Sequence, residues 1–165
     1  MKRKMKILVA VLLTVALVTA LFPATSLAQE NKTYFTGEEC FGEITDMGVW
    51  TPLGNGNFHI TGLHSWHIDT TTDPRLTGID YVEVNGIMDP VTNSGPAWGT
   101  FEVVNAGGSW SGAGVGREED GKFTIDGLLH GSGGYEGLVA NWAFRPNPVG
   151  CSLLSGYIVE TGAGN

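Results

Sequence analysis

Four histidines, two cysteines, five tryptophans and 17 carboxylates are the residues of this chain with the chemistry to bind or transform a ligand. The histidines are His59, His64, His67 and His130. A metal centre built on them would need at least a third donor, and Asp69 is the nearest choice beside His64 and His67. In a strand, side chains alternate faces. His59 and His67 would then share one face, and His64 would fall on the other with Trp66. The spacing of His64 and His67 suits a helix better than a strand. The expectation is therefore no metal site, no cofactor, and histidines that are exposed or half-buried.

Nucleophilic chemistry is no better marked. Gly108-Ser109-Trp110-Ser111-Gly112 lacks the spacing of a nucleophile elbow, and no strand–turn–helix surrounds it. Neither Cys40 nor Cys151 has the basic surroundings that make a reactive thiolate. No spacing among the acids selects a glycosidase pair. No catalytic residue can be assigned, and the reading leans away from an enzyme.

Tryptophans offer more. In an exported β-domain they stack on sugars or line an apolar cavity. The candidate ligand-binding residues are Trp66, Trp98, Glu102 and Trp142. Alternation alone does not place Glu102. It enters the interior if Trp98, Thr100 and Val104 face inward, and it is solvated if Phe101 and Val103 do. The second option is preferred.

The compartment is read from the ends. Lys2, Arg3, Lys4 and Lys6 precede an apolar run from Ile7 to Phe22, and Ser26-Leu27-Ala28 offers small residues for cleavage. Residues 1–28 thus read as a secretory signal, too short in its apolar part to span a bilayer. Residues 29–165 form one domain with a short lead at 29–33. Without the signal, Lys32, Arg75, Arg117, Lys122 and Arg145 face 17 carboxylates. Five scattered cations cannot displace the counterions of a nucleic acid. Anionic membranes are disfavoured for the same reason. Exposure to an oxidising compartment makes Cys40–Cys151 a disulfide that draws the first and last strands together.

The elements that must position these residues are strands. Glycine numbers 25, with none before Gly37. Helices tolerate so much glycine badly, because each costs ~1 kcal/mol relative to alanine. Eight strands are predicted: 34–45, 57–70, 78–87, 97–104, 109–117, 122–130, 135–145 and 154–161. Longer connections fall at 46–56, 71–77 and 88–95. Asp73-Pro74-Arg75 reads as a corner in which Arg75 pairs with Asp73 or Asp80. Short loops at Asn105–Gly108, Glu118–Gly121 and Gly131–Gly134 make strands four to seven an antiparallel meander. Gly112, Gly114 and Gly116 leave one strand face bare, which suits tight curvature. Leu138, Ala140, Trp142 and Phe144 share a face and are core candidates with Val82, Val84, Phe123 and Ile125. The predicted fold is all-β: an eight-stranded antiparallel up-and-down barrel, with a two-sheet sandwich as the alternative.

Trp98-Gly99-Thr100-Phe101-Glu102, Gly107-Gly108-Ser109-Trp110-Ser111-Gly112, Gly131-Ser132-Gly133-Gly134-Tyr135-Glu136-Gly137-Leu138 and Asp73-Pro74-Arg75-Leu76-Thr77-Gly78 together resemble a group of uncharacterised secreted bacterial proteins. More distantly, the Gly-Ser-Gly-Gly-Tyr-Glu-Gly hairpin resembles that of allene oxide cyclase and dirigent barrels, which are calycin-like. The resemblance implies an eight-stranded barrel, often oligomeric, around a cavity for apolar small molecules. It transfers no catalytic residue. The expected function is non-catalytic: a secreted barrel that binds a small apolar molecule or serves as an extracellular interaction module. The alternatives are an isomerase or cyclase working in the cavity, a carbohydrate-binding module, and a homo-oligomer of structural role.

Overall fold

The structure is a computed structural model and describes residues 31–161. The predicted signal lies outside them. Nine strands run in order: β1 (Thr33–Asp46), β2 (Val49–Pro52), β3 (Phe58–Thr71), β4 (Gly78–Met88), β5 (Gly95–Asn105), β6 (Gly108–Glu119), β7 (Lys122–Gly133), β8 (Leu138–Arg145) and β9 (Ser152–Glu160). Each of β3 to β8 pairs antiparallel with its successor. β1 lies between β9 and β3 and pairs with both. Eight strands therefore close into a ring, the all-β barrel that the glycine placement suggested, with no free edge along the closed part.

The strand outside the ring, β2, is an extension of β1. β1 pairs Asp46 with His64, and β2 pairs Val49 with Thr61 on the same strand β3. Gly48, at φ +64°, carries the chain between them. The segment 46–56 was expected to be a connection. It instead continues the β1–β3 ladder past the ring as a hairpin arm.

Alternation sets the interior. On β5, Ala97, Phe101 and Val103 are buried while Trp98, Thr100, Glu102 and Val104 face out. On β8, Leu138, Ala140, Trp142 and Phe144 join the core, as their spacing predicted, with Val82, Val84, Phe123 and Ile125. The bare stripe of β6 faces inward. A Cβ at Gly112 or Gly116 would collide with the carbonyl of Leu128 or Thr124 on β7. The stripe lets neighbouring backbones approach where the sheet curls.

Cys40 at β1 and Cys151, just before β9, form a disulfide across 111 positions, with Cα atoms 4.6 Å apart. This is the predicted bond between the first and last strands. On the chain-entropy model, closing so long a loop stabilises by roughly 4–5 kcal/mol. Among the described residues, no helix is long and apolar enough to cross a membrane.

One end of the ring is covered. Between β3 and β4, Pro74–Leu76 forms a single 3-10 turn. Asp73 caps it, and Arg75 grips Asp73 through two bonds of 2.9 and 2.7 Å. Arg75 thus pairs with Asp73, not Asp80. Leu76 enters the core at 4% exposure. Trp110, fully buried on β6, donates from Nε1 to the Arg75 carbonyl at 2.7 Å and stacks on Tyr135. Asn105 donates to the carbonyls of Arg75 and Thr77 and accepts from the Tyr135 hydroxyl. The Asp-Pro-Arg corner is therefore a plug fixed by Trp110 of β6 and by Asn105, which Tyr135 holds in turn.

Candidate functional site

The opposite end is open. There the connections after β1, β4, β6 and β8 surround a cavity of about 550 Å³. Eight-stranded barrels have interiors of the size that side chains fill or a small ligand occupies. This one is filled at the plug and hollow at the mouth. The walls are mainly apolar: Ile60, Leu63, Val82, Val84, Phe101, Phe123, Ile125 and Phe144. Met47, Trp50 and Met88 stand at the rim with Lys122 and Glu118. Half-burial pushes the Glu118 carboxyl above its ordinary range.

The polar part of the cavity comes from one face of β3. Gly62, at φ +68°, sits in a bulge between Ile60 and Leu63. The bulge shifts the alternation by one residue, as an extra residue in a strand must. Ile60 is inward before it, and Leu63, Ser65, His67 and Asp69 are inward after it. His59 is therefore on the outer face, 6.2 Å from the Trp98 ring. The expectation that His59 and His67 share a face is wrong, and the bulge is the reason. His64 and Trp66 do share a face, on the outside.

Inside, a hydrogen-bonded chain forms. The Ser65 hydroxyl lies 2.9 Å from His67 Nε2. His67 Nδ1 lies 2.5 Å from Glu39 Oε1 on β1. A proton on Nδ1 would serve Glu39 and leave Nε2 of the neutral ring to accept from Ser65. All three residues line the large cavity.

Deeper in, towards the plug, Glu39 meets two more acids. Glu39, Asp69 on β3 and Asp80 on β4 bring carboxylate oxygens within 4.8 Å of one another. They are 5, 4 and 2% exposed. Around them Phe35, Leu76, Phe101, Val103, Leu129, Trp142 and Leu154 close a second, small cavity of about 20 Å³. Oδ1 of Asp69 and Oδ1 of Asp80 have no hydrogen-bond partner, and neither does Trp142 Nε1. Burial, and then the charge of Glu39, push Asp69 up to about 8. Burial and the charges of Asp69, Glu39 and Glu102 push Asp80 well above its ordinary range, against a lowering hydrogen bond from the Glu102 backbone.

The four residues singled out from sequence do not converge. Trp142 is inside, 5% exposed, edge-on to Phe101 at 4.7 Å between centroids. It lines the small cavity and not the large one. Trp98 is partly exposed on the outer face of β5 at the rim of the large cavity. Trp66 is half-buried outside the ring, over Gly42 of β1. Glu102 is solvated on the outside, as preferred from alternation. The polar interior residues went unassigned, although the signal was present. Ser65, His67 and Asp69 occupy alternate positions of one strand, so all share a face. Trp66 and Ile68 hold the alternate positions, on the outer face.

Comparison with family models, with curated proteins and with solved structures yields no match for this chain.

Proposed function

We propose that this protein is a secreted, non-catalytic barrel that binds one small, largely apolar molecule through the open mouth. The observation that carries this reading is the 550 Å³ cavity, open at one end and walled by aliphatic and aromatic side chains. That volume is within the range of small-molecule sites, which are mostly apolar with few polar groups for orientation. Ser65 and His67 supply those groups. A hydroxyl, carbonyl or amine on the ligand would bond to them. A carboxylate would meet Glu39 and the chain's excess of acids, so the ligand is neutral or cationic. The signal-like first 28 residues and the disulfide support an extracytoplasmic setting.

The test is titration with the neutral fluorophore N-phenyl-1-naphthylamine. Saturable one-to-one enhancement is expected. Val84→Trp, which fills the cavity, should weaken it at least tenfold, and Thr100→Trp, on the outer face of the same barrel, should not. Unsaturable enhancement, or equal loss in both variants, refutes the reading.

A second reading has its own observation. The chain Ser65–His67–Glu39 places a base and a hydroxyl at the cavity wall. A proton could pass between a bound ligand and His67, as an isomerase or cyclase needs. Turnover of a bound ligand that His67→Gln abolishes while leaving its affinity intact would favour this alternative.

A further inference from the structure

We propose that Glu39, Asp69 and Asp80 form a binding site for one hard divalent cation, of the calcium class, at the floor of the barrel. Three carboxylates from three different strands converge there, with oxygens within 4.8 Å of one another. That is about twice a calcium–oxygen bond, so one ion can touch all three. The donors are all oxygen, which suits calcium, magnesium or manganese over softer metals.

Convergence of acids alone would prove little. The second observation is that Asp69 Oδ1 and Asp80 Oδ1 are buried without any hydrogen-bond partner. The two residues are only 4 and 2% exposed. A buried polar atom left unpaired is costly, and native interiors rarely tolerate one without an ion, a proton or a water. Here two such atoms belong to one cluster, and the same cluster lines a cavity of about 20 Å³. That is room for a single small occupant. Among the described residues, His67 is the one basic side chain bonded to the trio, and it is held between Glu39 and Ser65. It can offset one negative charge at most. Three carboxylates supply up to six oxygens, the lower end of calcium coordination. Glu39 lines both cavities, so an ion entering by the mouth meets it first.

The experiment uses the full mature chain, stripped with EDTA and then titrated with calcium at pH 7.5. One equivalent should remain after gel filtration, measured by elemental analysis, and the melting temperature should rise with saturation. Terbium should report the site directly, through emission sensitised by Trp142, with calcium competing it away. Asp80→Asn should lower affinity at least tenfold. This variant is expected to fold, because it removes a buried charge and keeps the shape. Glu38→Gln, an exposed acid on the other face of β1, should change nothing. Magnesium and manganese titrations rank the metal. Absence of any bound equivalent, with a melting temperature indifferent to calcium, overturns the site and leaves acids that share protons. Equal binding by Asp80→Asn overturns it too, because the ion would then be on the surface.

Discussion

Raising the pH should destabilise this protein in chelator, which is the reverse of the behaviour of ordinary surface acids. The groups concerned are Asp69 and Asp80, faced by Glu39 from β1, His67 from β3 and the Glu102 backbone from β5. Asp69 is raised from 3.8 to about 8 in the folded chain. Between those values the folded state holds a proton that the unfolded state has released. Stability therefore falls as pH rises through this window, by up to about 1.4 kcal/mol per pH unit for each proton retained. One such carboxyl has a ceiling of about 6 kcal/mol over the window. That rivals the whole stability of a small domain, ~5–15 kcal/mol. Protons shared across the trio make the loss a property of the cluster and not of one residue. Urea unfolding at pH 4.5, 6, 7 and 8, at constant ionic strength in EDTA, measures it. The midpoint should drop monotonically, and Asp80→Asn should flatten the drop. A midpoint that is constant or rises from pH 4.5 to 8 refutes the reasoning, as does an undiminished slope in Asp80→Asn.

Four further outcomes are expected. Cys40→Ala with Cys151→Ala should cost roughly 2–5 kcal/mol in denaturant midpoint without changing the strand signature in far-ultraviolet dichroism. Asn105→Ala removes the bonds to the carbonyls of Arg75 and Thr77 and the acceptor of Tyr135, and should cost about 2–3 kcal/mol, read by calorimetry. Phe101→Ala, on the wall shared by both cavities, should cost about 3–5 kcal/mol while enlarging the space for a fluorophore. Gly112→Val should prevent accumulation of folded protein, because its side chain would strike the Leu128 carbonyl, whereas Gly54→Ala, with open space around it, should be neutral in the same expression assay.

The barrel was legible in the sequence because its determinants are local. Hairpin glycines, a bare stripe at 112, 114 and 116, and alternating apolar residues on β8 each act within a few positions. The eight strand segments consequently fall within three residues of their expected ends. The site was not legible, because its determinants are defects in that regularity. The bulge at Gly62 re-phases β3, so the face of His59 says nothing about the face of His67. β1 shifts register between Phe41 and Glu43 and again between Ile44 and Asp46. Such shifts decide which side chains enter a barrel. Glu39 faces Asp69 directly across β1 and β3, neighbours in the expected up-and-down barrel, but the register that pairs them is not written in either strand alone.

The placement of the acids is itself an argument for function. Leucine or valine at positions 69 and 80 would fill this core at no electrostatic cost, and replacing buried charges with packed apolar groups is often neutral or stabilising. The chain instead spends three acids, a histidine and a serine inside an otherwise apolar barrel. The outer face of the same strands carries Trp66, Ile68 and Tyr81, residues whose burial would have been favourable. This inversion departs from the rule that local pattern and global fold agree, and such departures concentrate at working sites. It occurs in one continuous strip, from Asp80 through Asp69 and Glu39 to His67 and Ser65, leading from the plugged floor to the hollow mouth. A strip that connects the deepest unpaired oxygens to the accessible cavity would couple ligands bound at its two ends. Occupation of the floor by a cation would draw on Glu39, weaken its hold on His67 and so alter what the imidazole presents to a ligand above. Measuring fluorophore affinity with and without calcium reads that coupling directly, and reciprocity requires the fluorophore to shift calcium affinity by the same factor.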